Sequence, residues 1–465
     1  MSPRALLRPL QAAAQLSLLR NSGFLIGTTL MTSALGYAYW LIAAHNWSSS
    51  TVGFAAGAIS TFTLVGFVFS LGVAPAYVQM LPRFTDPAEL DQFFSSGLIT
   101  TTAASVTAGV AVVTVLPVWA PHFHELRQAG VAAAFVAGCG LSTTTVALDG
   151  CFVAMRRSSG KFSRNLVFAI AKMALLLLPV LALRHPGAAS ILWTWDAALL
   201  ASCVVAVVML ERLGMHLAVP RRAGLRRLFV HRHTMLGYQL GSLGAWLPPF
   251  VFPALVIAIV GTRQNAYVYF TWSIAGILFT VSTSIGLALF AEGAHREDLR
   301  RQARLAAVTM TAVLVPATAL MLVFARQILS LFGHEYAVHG TTLLRIFALG
   351  ALADAVTNCY VGIRNAQHRL AEVAVLNFVI AAIAVGGSAA LLRPWGIDAV
   401  GWSWTAAQAV GCVWVLVMAL RGAIHRDDAH PDGDAEVAGP GGHDDPRDGA
   451  SVRPISAMSA STKTA

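Results

Sequence analysis

The chain is poor in charge: Asp, Glu, Lys and Arg make up 12% of its 465 residues, against 56% hydrophobic ones. That mixture excludes a water-soluble domain, in which about a quarter of the residues would be charged. Cysteine is scarce too. Cys139, Cys151, Cys203, Cys359 and Cys412 all fall inside or at the ends of apolar runs, so a disulfide framework is not expected. Long polar loops on which catalytic side chains gather are missing. A phosphate-binding loop is missing as well: Gly160-Lys161 is followed by Phe162, and Met155 stands where the first glycine belongs. The chain is therefore not expected to be an enzyme, and neither a metal nor an organic cofactor is expected. His122, His124 and Glu125 could form a small metal cluster, but a hydrated loop end accounts for them.

What is present is apolar length. Twelve runs lie near residues 22–44, 51–74, 96–118, 128–151, 165–183, 191–210, 234–260, 267–290, 305–324, 341–361, 372–392 and 397–420. Each reaches or approaches the ~20 residues that a helix needs to cross a bilayer. Backbone in lipid must bond to itself, as a helix or a closed barrel. Runs such as residues 174–183 lack the alternation of a barrel strand. The expected fold is all-α: a polytopic membrane protein with 12 transmembrane helices.

Loop charge sets the expected orientation. Arg156, Arg157, Lys161, Arg164, Arg212, Arg221, Arg222, Arg226, Arg227, Arg232, Arg296, Arg300, Arg301 and Arg304 share the side of Arg4, Arg8 and Arg20, whereas Arg127, Arg184, Arg263, Arg326 and Arg393 lie on the other. Positive loops stay inside, so both termini are expected to be cytoplasmic, in the cell membrane. Such loops favour anionic membrane lipids, not nucleic acid, as partners.

Cys151-Phe-Val-Ala-Met-Arg156 recurs 208 residues later as Cys359-Tyr-Val-Gly-Ile-Arg364. Six spans separate the copies, which suggests a parallel internal repeat. The expected organisation is two six-helix bundles, residues 1–222 and 223–424, followed by a disordered acidic cytoplasmic tail over 425–465. Asp427, Asp428, Asp432, Asp434, Glu436, Asp444, Asp445 and Asp448 crowd that tail with little apolar surface to fold. Two bundles around a central space suit alternating access. Pro248, Pro249 and Pro253 each remove a backbone donor from span 7, which makes that stretch the candidate hinge.

Ionisable groups inside spans are costly and therefore point to function. Lys172 lies in span 5, where a cavity role competes with snorkelling to the surface. Asp354, near the middle of span 10 with Asn358 one turn on, is the leading candidate for a coupling-ion or proton site, and Asn377 in span 11 joins it. Tyr37, Tyr39, Gln239 and Trp272 extend the list of cavity candidates. Asp149, Asp196 and Asp398 lie close to helix ends, where hydration or capping explains them.

The segment from Asn21-Ser22-Gly23 to residues 36–44, Val52-Gly53, Leu71-Gly72 and Leu81-Pro82-Arg83, together with twelve spans in two halves, resemble the multidrug, oligosaccharidyl-lipid and polysaccharide exporter superfamily, and within it the Wzx-type polysaccharide flippases. The resemblance implies flipping of a polyprenyl-pyrophosphate-linked oligosaccharide from the inner to the outer leaflet, with the glycan in a cationic cavity and the lipid tail in the bilayer. It also implies glycosyltransferases or a polymerase of the same pathway as possible partners. Related lipid II flippases carry cavity arginines on the first helix of each half. Spans 1 and 7 have none here, which leaves Lys172 as the main interior cation. A cation-coupled multidrug antiporter of the same superfamily and a membrane glycosyltransferase or polymerase are the alternatives.

Overall fold

The computed structural model describes residues 34–182, 187–293, 299–367 and 369–427. The start of the first expected span and nearly all of the acidic tail lie outside these residues. Two compact units divide the chain, Met1–Val417 and Met418–Ala465, and the packing described below belongs to the first.

Among the described residues the regular structure is helical throughout. Helix α1 covers 34–46. It is followed by α2 (Ser49–Phe69), α3 (Val73–Met80), α4 (Pro87–Trp119), α5 (Ala129–Ala154), α6 (Ser158–Ala182), α7 (Ala188–Arg212), α8 (Arg222–Val230), α9 (Arg232–Val260), α10 (Thr262–Gly293), α11 (Leu299–Ser330), α12 (His334–Ala366), α13 (Leu370–Trp395) and α14 (Asp398–Asp427). Among the described residues, eleven helices are long and apolar enough to cross a membrane. They match eleven of the twelve expected spans.

Helix starts follow local chemistry. Asp86 accepts the Ala88 amide at 2.9 Å with Pro87 in the first turn, so α4 begins nine residues before its apolar run does. Ser48 caps α2 by accepting from the Thr51 amide at 3.2 Å. Span 2 ends in a corner that the hydropathy pattern hides. Leu71 (φ 51°) and Gly72 (φ 76°) turn left-handed, which separates α2 from the short α3.

Helix α2 is the central element. Two thirds of it (67%) is buried, against 22% of α4, α6 and α11 at the periphery. It packs on α5 on one side and on α9 and α10 on the other. Gly53 makes the last approach possible, because a Cβ there would meet the Thr262 carbonyl oxygen at 1.9 Å. The Asn265 amide seals this end by donating to the Gly53 carbonyl at 2.7 Å. Nearby, Glu335 of α12 accepts from Ser49 at 3.0 Å and pairs with Arg263 at 2.5 Å.

Helix α9 runs through Pro248, Pro249 and Pro253 without interruption. Each proline removes one rung of the ladder, yet the neighbouring amides still bond and hold the α form. The segment leading into α9 is tied to the start of α4. Asp91 accepts the His216 amide at 2.7 Å, Ser95 that of Ala218 at 2.8 Å and Gln92 that of Arg221 at 2.9 Å. Arg227 of α8 adds an ion pair with Glu89.

Candidate functional site

A cavity of about 520 Å³ opens among α2, α3, α5, α6, α7 and α9. Its polar end is built on α5 and α6. Asp149, near the end of α5, accepts from Arg164 twice, Nε to Oδ1 at 2.7 Å and Nη2 to Oδ2 at 3.1 Å. Lys161 Nζ stands 3.7 Å from the same carboxylate. The Arg164 side chain is only 6% exposed, and its remaining donors reach Asn165 Oδ1 at 2.8 Å and Ser202 Oγ at 3.5 Å. With its carbonyl turned to Arg164, Asn165 keeps its NH₂ for the cavity.

Five aromatic side chains also face the cavity. Phe67, Phe168, Trp195, Trp246 and Phe250 line it. Phe168 meets Trp195 edge to face at 5.2 Å, and Trp246 stacks on Phe250 at 5.9 Å. The hydroxyls of Thr63 and Thr145 donate to carbonyls of their own helices, Ile59 and Ser142, both at 2.7 Å. They therefore turn lone pairs outward, and the donors offered to an anion are those of Lys161, Arg164 and Asn165. A cavity with both a cationic rim and aromatic rings can hold a phosphate and a sugar face or isoprenoid.

None of the five expected cavity residues lines this space. Lys172 is buried behind its aromatic wall, with Nζ 4.8 Å from the Trp195 ring centroid, 5.0 Å from Phe168 and 5.4 Å from Tyr39. Helix α6 begins at Ser158, seven residues before the apolar run. Lys172 thus lies about 21 Å along the helix, where it is 7% exposed. Tyr39 is fully buried against Trp40 and Trp195. Tyr37 donates to the Ser273 carbonyl at 2.5 Å, joining α1 to α10. Gln239 is saturated by the α2–α3 corner, accepting from Gly72 N at 3.0 Å and Ser70 Oγ at 3.3 Å and donating to Phe67 O at 2.7 Å. Trp272 packs in an aromatic cluster with Phe252, Phe279, Phe347 and Trp404.

Asp354 and Asn358 do come together, in a second polar site made by α10, α12 and α14. Ser282 Oγ donates to Asp354 Oδ2 at 2.5 Å, Asn358 Nδ2 to the same oxygen at 2.9 Å, and Gln408 Nε2 to Oδ1 at 3.1 Å. Thr357 closes the ring by donating to Gln408 Oε1 at 2.8 Å. Every donor in these bonds is neutral, so the carboxylate charge has no counter-ion among these partners. Asn377 takes no part; its backbone packs against Gly244 of α9.

Sequence reasoning missed three groups. Lys161 and Arg164 read as loop cations because hydropathy starts span 5 at residue 165. Helical spacing was the available signal, since Lys161, Arg164, Phe168 and Lys172 recur at three to four residues on one face of α6. Asp149 read as a hydrated helix end. Asp196 lies two turns inside α7, 2% exposed, with no hydrogen-bond partner for either carboxylate oxygen. Capping does not account for it. Gly138 makes room there, as a Cβ on it would stand 3.0 Å from Asp196 Oδ1.

A family model described as MatE matches residues 245–387. No curated protein matches the chain. Among solved structures, the inward-facing form of a multidrug resistance MATE family transporter of the MOP superfamily superposes with a TM-score of 0.66 at 13% identity, covering 86% of this chain and 96% of that one. The lipid II flippase MurJ in its inward closed conformation gives 0.68 at 11% identity over 84% and 86%. An outward-facing multidrug resistance MATE family transporter gives 0.51 at 14% identity over 86% and 94%. At such identities the likeness is one of fold: the chain has the multi-pass helical architecture of these transporters.

Proposed function

We propose that the chain is a transporter that flips a polyprenyl-pyrophosphate-linked oligosaccharide from the inner to the outer leaflet by alternating access, in the cell membrane. The observation that carries this reading is the cavity, which pairs the cations Lys161 and Arg164 with a wall of five aromatic side chains. Pyrophosphate suits the first and sugar or isoprenoid suits the second. With the loop-charge orientation, the packed contact at Gly53 closes the outer side and supports a cavity loaded from the cytoplasm. Moving about two negative charges outward down an inside-negative potential yields ~4.6 kcal/mol per 100 mV, so the potential alone could drive export. Glycosyltransferases or a polymerase of the pathway would hand on the substrate. The test is flipping by purified protein in liposomes: a fluorescent lipid-linked oligosaccharide should become accessible to an external quencher faster with the protein than without it. Equal rates would sink the reading.

The second reading is a cation-coupled multidrug antiporter, favoured by the Asp354 site with its neutral donors and by the MatE match over the second half. Under it, null cells should be more drug-sensitive than complemented ones. Under the first reading their susceptibility is equal.

A further inference from the structure

Arg164 directs four of its five N–H donors to protein groups while forming the wall of a cavity open to ligand, and the acid that takes two of them is itself a lining residue. The Asp149 side chain is 20% exposed, against 6% for Arg164 and 46% for Lys161. The carboxylate thus contacts both cations and stays more exposed than the guanidinium it holds. Two positive groups against one negative leave this end of the cavity net cationic.

From this geometry we infer that Asp149 is an exchangeable counter-ion that determines specificity for the anionic headgroup. It holds Arg164 and Lys161 in the empty protein and is displaced from them when a phosphate-bearing ligand binds. The inference rests on the reading of an anionic lipid-linked substrate.

Three physical points carry it. A buried guanidinium without a partner is strongly disfavoured, so a cavity that must be empty for half of its cycle needs an internal anion. A singly charged carboxylate held by two cations is outcompeted by a pyrophosphate, which offers more charge and more acceptor oxygens in the same fork geometry. A neutral lipid brings no replacement charge, and displacing Asp149 for it would strand Arg164. Asp149 therefore admits anions and rejects neutral analogues. After release the carboxylate reclaims Arg164 and the empty protein resets without an unpaired charge.

The test titrates purified full-length protein with farnesyl pyrophosphate, with farnesol and inorganic pyrophosphate as separate probes of tail and headgroup. Wild type is compared with Asp149→Asn, Arg164→Gln and the double variant. Removing the competitor should tighten farnesyl pyrophosphate and pyrophosphate binding about tenfold in Asp149→Asn and leave farnesol unchanged. Arg164→Gln should weaken the pyrophosphate probes about tenfold, and the double variant should match it. If wild type binds the pyrophosphate probes and Asp149→Asn binds them equally or more weakly, the exchange is overturned while the anionic-substrate reading stands. If no form prefers farnesyl pyrophosphate over farnesol, the reading itself fails and the exchange with it. Should Asp149→Asn not purify as a monodisperse protein, Asp149→Ser serves instead: tighter pyrophosphate binding than wild type supports the exchange, and equal or weaker binding overturns it.

Discussion

The backbone amide of Gly72 donates to the side-chain carbonyl of Gln239 across 3.0 Å, so a buried polar group of α9 completes the corner between α2 and α3. The same side chain donates to Phe67 O at 2.7 Å. Gln239→Leu strands the Gly72 amide, at a cost of about 1–3 kcal/mol, whereas the Phe67 carbonyl still accepts from Ser70 Oγ at 2.7 Å. The variant should melt several degrees lower in detergent. Gly72→Ala should cost at least as much, since its φ is 76° and a Cβ would meet the Met235 carbonyl oxygen at 2.0 Å. An unchanged melting temperature in either variant would mean that the corner is not a fixed joint.

Lys172 gives a different expectation. Its ammonium has given up water for three ring faces, contacts worth about 2 kcal/mol each at best, against a desolvation penalty of several kcal/mol. Lys172→Met keeps the shape and adds sulfur–aromatic contacts. Thermal stability should be unchanged or higher, while flipping of an anionic lipid falls because the field behind Phe168 and Trp195 is lost. A large drop in stability would assign the lysine to packing instead.

These cases show what the sequence discloses and what it hides. The spans were legible because lipid imposes length and composition on any crossing helix, and α2 to α14 follow that pattern wherever it applies. Gln239 was legible as a buried group in need of partners. The identity of those partners depends on Leu71 and Gly72 reversing the chain, which hydropathy does not encode. Arg164 was hidden for a related reason: a charged first turn lowers hydropathy, so the most useful cation read as loop. The Asp354–Asn358 pair was visible because two polar groups one turn apart need no tertiary information, whereas Ser282 and Gln408 come from other helices.

Asp354 is suited to hold a proton or a small monovalent cation, because its bonding partners Ser282, Asn358 and Gln408 balance no charge. If an ion is coupled there, that ion should raise the melting temperature of the wild type as its concentration rises above its Kd, by linkage. Asp354→Asn should abolish the rise and impair transport. Equal ion responses in both proteins, with transport intact, would remove the residue from the coupling role.

At the opposite end, Gly53→Ala drives a methyl group into the backbone of α10, at the Thr262 carbonyl and, at 2.8 Å, the Ala266 amide. Helix α2 cannot then approach α10. Cysteine labelling by a membrane-impermeant reagent should increase at an introduced Asn265→Cys in the Gly53→Ala background. Labelling equal to that of the single Asn265→Cys protein would show that this contact is not the external closure.

The straps from Asp91, Gln92 and Ser95 to residues 216, 218 and 221 have a mechanical implication. The chain that leads into α9 is not slack cable but a lever bolted to the foot of α4. Any swing of the second half must either carry α4 with it or tear those amides loose. Helix α4 is itself fastened along α5, through Thr102 to Thr144 at 3.0 Å and Ser105 to the Cys139 carbonyl at 2.9 Å, so the bolt ends in the packed body of the protein and resists any motion that would part α8 from it.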